Sequence, residues 1–146
     1  MTSVNKSALV RHSVEKMYRL VSDVEGYPGF LPWCGGAEIL SREEGMVVAT
    51  VVISYGSLTK PFTTRNTLLP NESIEMVLEE GPFRSLHGIW RFHRLSDEAS
   101  KIALDLEFEF SSRLVAATLG VVFNQITNTL VDAFVKKADE VYGKDG

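Results

Sequence analysis

Few side chains in this sequence have the types and spacing that catalysis or metal binding requires. Of the three histidines, His87 and His93 fall on the outward face of one predicted strand, with no further metal ligand beside them. No H-E-x-x-H sequence and no glycine-rich phosphate-binding sequence occurs. The single cysteine, Cys34, is interpreted as a small residue at the mouth or wall of a cavity rather than as a nucleophile, which would need a base and an electropositive setting. We therefore predict a protein that is not an enzyme, that holds no metal or covalent cofactor and that has both these histidines on its surface.

A second group of residues suits the wall of a ligand cavity. Thr64 and Asn66 place polar atoms among inward aromatic and aliphatic side chains, and a ligand carbonyl is one candidate partner for a buried Asn66. An apolar pocket with a few polar groups suits a quinone or a lipid. Each aromatic residue taken singly is more typical of a packed core than of a ligand site. The predicted lining comprises Trp33, Phe62, Thr64, Asn66, Met76, Phe83, Trp90, Phe92, Leu106, Phe108, Phe123 and Ile126.

The charge balance argues against generic binding to nucleic acid. The chain has 15 Lys and Arg residues against 19 Asp and Glu residues, a formal net charge of −4. Because generic affinity for DNA or RNA comes from neutralising phosphates with many cations, we predict no DNA binding. Four cations, Lys60, Arg65, Arg84 and Arg91, lie on or beside outward strand positions. They fit either a local positive area that contacts RNA phosphates or a dispersed set of solubilising charges.

Strands must position most of these side chains. Apolar and polar residues alternate through the middle of the chain, most clearly in Ile102, Leu104 and Leu106, which is typical of antiparallel strands with one buried face. Short turn signals such as Glu44-Gly45 separate the runs and indicate successive hairpins. Further strands are predicted at 3–11 and 37–41.

Two regions have helical periodicity instead. Ser13 is a plausible N-cap for a short helix that stops near Gly26, within an insert at 13–31 whose prolines prevent a regular helix throughout. Residues 113–142 carry an apolar stripe and no proline, which predicts one long helix. We therefore predict a single α+β domain over 1–146. A curved antiparallel sheet wraps around the long C-terminal helix, with the helical insert after the first strand and a cavity between sheet and helix.

The N-terminal region lacks the continuous apolar stretch of a signal peptide. Uninterrupted apolar stretches such as 46–49 and 51–53 are far too short for a membrane span. We therefore expect a cytoplasmic protein with no transmembrane segment.

Several segments, in order along the chain, resemble a known family. They are Tyr27-Pro28-Gly29-Phe30-Leu31-Pro32-Trp33-Cys34, Phe62-Thr63-Thr64-Arg65-Asn66, Gly81-Pro82-Phe83, Trp90 with Phe92, and Leu106-Glu107-Phe108-Glu109-Phe110. Together they resemble the START-like polyketide cyclase/coenzyme Q-binding superfamily, and within it the bacterial ribosome-association toxin A family. The resemblance covers nearly the whole chain and implies a helix-grip fold.

The resemblance implies three different functions. The first is binding to the large ribosomal subunit and blocking of subunit association, for which Lys60, Arg65, Arg84 and Arg91 are the candidate contacts. The second is binding of ubiquinone or a lipid in support of respiration. The third is a polyketide cyclase or dehydratase, which no acid–base pair in the predicted lining supports. The choice between ribosome binding and quinone or lipid binding stays open at this point.

Overall fold

The computed structural model describes residues 1–143 and contains one seven-stranded antiparallel sheet. Its strands are β1 (Thr2–Val10), β2 (Cys34–Glu43), β3 (Met46–Tyr55), β4 (Leu58–Leu69), β5 (Ser73–Glu80), β6 (Phe83–Ser96) and β7 (Ala99–Phe110). Their spatial order is β1-β7-β6-β5-β4-β3-β2, so that β2 to β7 form a meander and β1 adds to β7 at one edge. The predicted antiparallel sheet is confirmed.

Tight turns join the hairpins at the predicted positions. Gly45 between β2 and β3 has a φ of 76°, and Gly56 between β3 and β4 has a φ of 59°. Glycine adopts this left-handed region without steric cost, which is why short hairpin turns favour it. The turns fix the register of β3 and β4, which places Phe62 opposite Val51 and Asn66 opposite Val47.

The insert after β1 contains an α-helix followed by a 3-10 helix. Helix α1 spans Val14–Ser22, and the Oγ of its N-cap Ser13 accepts a hydrogen bond from the Lys16 backbone N–H. The helix was predicted to end near Gly26, but the α-helix ends at Ser22. The chain tightens into a 3-10 helix over Val24–Gly29 because glycine and proline there disfavour further α-helical turns.

Helix α2 spans Arg113–Tyr142, in agreement with the predicted bounds, and Ser112 caps its N-terminus. No charged residue occurs in 114–131, and α2 is long and apolar enough to cross a membrane by length and composition. A single such helix is weak evidence for a membrane span, because the core helix of a globular domain has the same character. One face of α2 packs on the sheet through Leu119, Phe123, Ile126 and Phe134.

The interior has two main apolar clusters along α2. One lies beneath the N-terminal half of the helix and includes Phe83, Phe108 and Phe123. The other lies beneath its C-terminal half, where Trp90 and Phe134 meet residues of α1. The candidate site lies between these clusters.

One histidine has a structural position that the sequence did not reveal. His12 follows β1 and is buried, with Nε2 2.8 Å from Oδ1 of Asp139 near the end of α2. The Oγ of Ser100 donates a hydrogen bond to the His12 carbonyl. His12 thus ties β1, β7 and the C-terminal end of α2 together, whereas His87 and His93 are exposed as predicted.

Candidate functional site

A cavity of about 90 Å³ lies between the sheet and α2. Strands β3 to β7 and the facing side of α2 form its walls, and the 3-10 helix contributes to one end. Nine of the twelve predicted residues line it, namely Trp33, Phe62, Thr64, Asn66, Met76, Trp90, Leu106, Phe123 and Ile126.

The other three predicted residues, Phe83, Phe92 and Phe108, do not line this cavity. The rings of Phe83 and Phe108 pack against Phe123, with centroids 4.9 and 4.8 Å apart. Phe92 packs edge-on against Tyr18 of α1 at 5.7 Å. These positions face inward as expected, but neighbouring rings fill the space that a ligand would need.

Other lining residues were missed by the sequence analysis. Leu104 and Phe134 lie on faces that the periodicity marks as inward, so their alternation and helical spacing were available signals. Tyr27 lies on the 3-10 helix, where no periodicity indicates direction. Its hydroxyl donates to the Val21 carbonyl, and its ring meets Phe134 edge-on at 5.4 Å.

Two polar side chains stand at successive inward positions of β4. Thr64 and Asn66 are 8% and 6% exposed, and the Thr64 Oγ1 donates a 2.8 Å hydrogen bond to Asn66 Oδ1. Within residues 1–143, Nδ2 of Asn66 makes no hydrogen bond. This amide nitrogen therefore provides an unused donor at the cavity wall.

The side chains of the described cavity wall are all uncharged. Among the described residues, its lining contains no Asp, Glu, His, Lys or Arg, and no cluster of three potential metal ligands occurs in residues 1–143. Burial raises the pKa of Tyr27 far above its ordinary value, which keeps that phenol neutral. The described wall therefore offers hydrogen bonds and apolar contact, but no acid–base pair.

The cavity is small for a ligand site. Ligand pockets usually measure about 300–1,000 Å³, and an apolar cavity of about 150 Å³ takes up benzene. A separate surface cleft of about 340 Å³ lies beside the β3–β4 hairpin and α2. Trp33 and Ile126 line both spaces, so these two side chains lie where the interior cavity and the cleft approach each other.

Cys34 follows Trp33 but does not line the cavity. It is buried, and its Sγ donates to the Gly36 carbonyl at 3.3 Å. Burial raises the pKa of the Cys34 thiol, which disfavours the reactive thiolate. The structural interpretation of this residue is therefore the better one.

The predicted cationic contacts do not form one positive area. Three arginines form ion pairs with carboxylates on adjacent strands: Arg65 with Glu79 at 2.6 Å, Arg84 with Glu109 at 3.6 Å and Arg91 with Asp105 at 2.8 Å. Lys60 is exposed but shares the strand face of inward Phe62, not the outward face predicted for it, because β4 alternates without a bulge between these positions. Each of these arginines therefore has a carboxylate beside it on this surface.

Three comparisons place these observations among known proteins. A family model described as polyketide cyclase / dehydrase and lipid transport matches residues 10–135. A protein named ribosome association toxin RatA from Pseudomonas aeruginosa is 47% identical over 142 residues, which cover 97% of this chain and 99% of the relative. A mitochondrial coenzyme Q-binding protein COQ10 homolog B from Xenopus laevis is 30% identical and is matched over 96% of this chain and 59% of its own length.

Among solved structures, the Zhui aromatase/cyclase from Streptomyces sp. R1128 superimposes with a TM-score of 0.83. The match covers 94% of this chain and 93% of the other at 20% sequence identity. At that identity the likeness establishes the shared fold only.

Proposed function

This chain belongs to the polyketide cyclase / dehydrase and lipid transport family, and we propose that it binds the large ribosomal subunit and hinders its association with the small subunit. The observation that carries the proposal is the near-full-length match to a ribosome association toxin. Such an inhibitor needs a rigid surface and no chemistry, which agrees with the non-enzymatic names of the curated relatives. A protein with this role would act in the cytoplasm, and we propose that this chain acts there as a single domain.

The paired arginines remain the candidate contacts to ribosomal RNA, with Lys60 at the hairpin end. The side chains of Arg65 and Arg84 are 52% and 68% exposed. Exposed ion pairs contribute only about 0–1 kcal/mol, so RNA phosphates can displace the partner carboxylates at small cost. With a net charge of −4, the chain must bind at a specific site rather than along RNA in general.

Co-sedimentation with purified large subunits at low salt tests this proposal. Arg65→Glu and Arg84→Glu should each weaken binding and reduce its salt dependence, because each removes a phosphate contact. Glu79→Gln is the matched control, since it frees Arg65 from its carboxylate and should strengthen binding. Absence of the wild-type protein from the subunit peak would contradict the proposed function. Charge reversals without effect would contradict these contacts.

A second candidate is binding of ubiquinone or a similar lipid-like molecule. The specific observation in its favour is the apolar cavity that contains the Thr64–Asn66 pair. The similarity to a coenzyme Q-binding protein supports it. A cyclase or dehydratase would need a general acid and base, which the described cavity wall lacks.

Native mass spectrometry of the protein purified from its own cells, with organic extraction, tests the second candidate. The expected result is a bound apolar molecule that is lost on extraction. A protein that neither retains nor takes up any amphiphile would contradict it.

A further inference from the structure

We propose that the cavity takes a neutral ligand whose carbonyl or ether oxygen accepts a hydrogen bond from Nδ2 of Asn66, with its apolar body directed towards Trp33. This inference rests on the second candidate function above and specifies the chemistry of its ligand.

The first argument is the direction of the unused hydrogen bond. Oδ1 of Asn66 already accepts from the Thr64 hydroxyl, so the side chain presents its N–H groups to any further partner. Asn66 is 94% buried and lines the cavity, so a ligand in the cavity can accept a hydrogen bond from this amide. A ligand oxygen would satisfy a donor that the rest of residues 1–143 leaves unpaired.

The other polar groups of the wall agree with an acceptor ligand. The hydroxyl of Thr127 donates to the Asn124 carbonyl, and that of Tyr27 donates to the Val21 carbonyl. These two hydroxyl hydrogens are therefore already used, and the Asn66 amide nitrogen can only donate, which suits a quinone, ketone or ether at Asn66.

The absence of charge along the described cavity wall excludes an ionised end group at this position. A carboxylate or phosphate placed beside Asn66 would have no cation among the lining residues. An unpaired charge in an apolar interior is strongly disfavoured. A fatty acid or phospholipid headgroup is therefore a poor fit for the inner end.

The position of Trp33 sets the orientation of the ligand. Asn66 lies four residues beyond Phe62 along β4, about 13 Å at 3.3 Å per residue. Trp33 lies at the opposite end, where its carbonyl accepts from the Ser54 N–H near the β3–β4 hairpin. The acceptor oxygen would therefore bind at the inner end and the apolar body would extend towards the cleft.

A long ligand requires Trp33 to move aside. The cavity of about 90 Å³ and the cleft of about 340 Å³ would then join into one space of about 430 Å³. That volume lies within the usual range for ligand pockets. Among residues 1–143, Trp33 and Ile126 line both spaces, so we expect movement of the Trp33 ring to connect them.

Two probes of similar length test the inference through displacement of the neutral dye N-phenyl-1-naphthylamine. Decylubiquinone carries acceptor oxygens, whereas n-decylbenzene has none. Asn66→Leu should weaken decylubiquinone binding about tenfold, the effect of losing one buried hydrogen bond, and change decylbenzene binding by less than about twofold. Asn66→Ala removes the same donor without adding a charge and should give the same loss of preference for decylubiquinone. It provides the test if Asn66→Leu fails to fold.

The outcomes separate this inference from the candidate function on which it rests. If neither probe displaces the dye from the wild-type protein, ligand binding itself is contradicted. If both probes bind and the Asn66 variants weaken both equally or neither, amphiphile binding stands and the acceptor contact at Asn66 is overturned. Asn128→Leu is the matched control, because it makes the same substitution at an exposed helix position outside the cavity lining and should preserve the preference for decylubiquinone.

Discussion

The interior beneath the N-terminal half of α2 is filled, whereas the interior beside Asn66 is hollow. In the filled region, Phe83 and Phe108 from adjacent strands both reach Phe123 of the helix, with ring centroids less than 5 Å apart. In the hollow region, β4 contributes Thr64 and Asn66, which are too short to meet the helix in the same way. Inward direction alone therefore does not decide between core and cavity. The combined volume of the side chains from sheet and helix decides it.

The largest expected effect is that of a charge placed between the two regions. Leu106 is 5% exposed and packs in the filled cluster while also lining the cavity. Leu106→Asp should cost several kcal/mol in the free energy of unfolding, because the described cavity wall offers its carboxylate no cation. Urea denaturation measures the loss. The matched control is Leu114→Asp at a 75% exposed helix position, which should change stability by about 0.5 kcal/mol or less.

The next largest effect should be a difference in stability loss between two truncated phenylalanines, one within the filled region and one that borders the cavity. Phe108 is fully buried among rings, so Phe108→Ala should lower the free energy of unfolding by about 3–5 kcal/mol. Phe62 borders the cavity and is only partly buried, so Phe62→Ala should cost at least about 1 kcal/mol less. Chemical denaturation of both variants provides the comparison. Equal losses would show that the two regions are packed alike.

A methyl group added at Gly88 should be accommodated by the hollow region. A Cβ there would lie 2.8 Å from Leu106 Cδ1 and 3.0 Å from Met76 Cε, which are the flexible ends of side chains that border the cavity. We expect Gly88→Ala to cost less than about 1 kcal/mol, since both ends can shift into empty space. The same shift should reduce the affinity for decylubiquinone. A cost of about 3 kcal/mol or more would indicate that no free volume is available.

The smallest expected effect is a gain in stability from a substitution in the filled region. Gly120 lies within α2, and a Cβ there would make an ordinary contact at 3.8 Å from Phe110 Cε2. Gly120→Ala should stabilise the protein by about 0.5–1 kcal/mol, because alanine restricts the unfolded chain and favours the helix. A rise in melting temperature checks this. A fall would mean that the region is already too full for one methyl group.

The fold was predictable because its elements have strong periodicity. The alternation around Leu104 and the uninterrupted stripe of α2 left little freedom in assigning strands and helix. The cavity wall was only partly predictable. Periodicity gives the direction of Phe83 and Phe108, but their exclusion from the cavity depends on contacts with Phe123, more than ten residues away in sequence.

The side-chain positions of irregular segments and the partners of ion pairs could not be predicted from the sequence for a similar reason. Tyr27 lies on a 3-10 helix where no repeating pattern marks its direction. His12 is buried by Asp139, a residue 127 positions away. The partner of Arg65 also depends on the register between β4 and β5, which is a property of the folded sheet.

Side-chain NMR with decylubiquinone distinguishes the hollow interior beside Asn66 from the filled interior around Phe123. The two tryptophan indoles and the Asn66 amide all give resolvable N–H signals at the cavity. On binding, we expect the Asn66 Nδ2 and Trp90 Nε1 signals to shift, and the Trp33 Nε1 signal to shift as its ring moves aside. We expect no shift of the Gly120 backbone amide signal. Shifts concentrated around Gly120 and Phe123, with the Asn66 amide unchanged, would contradict the account.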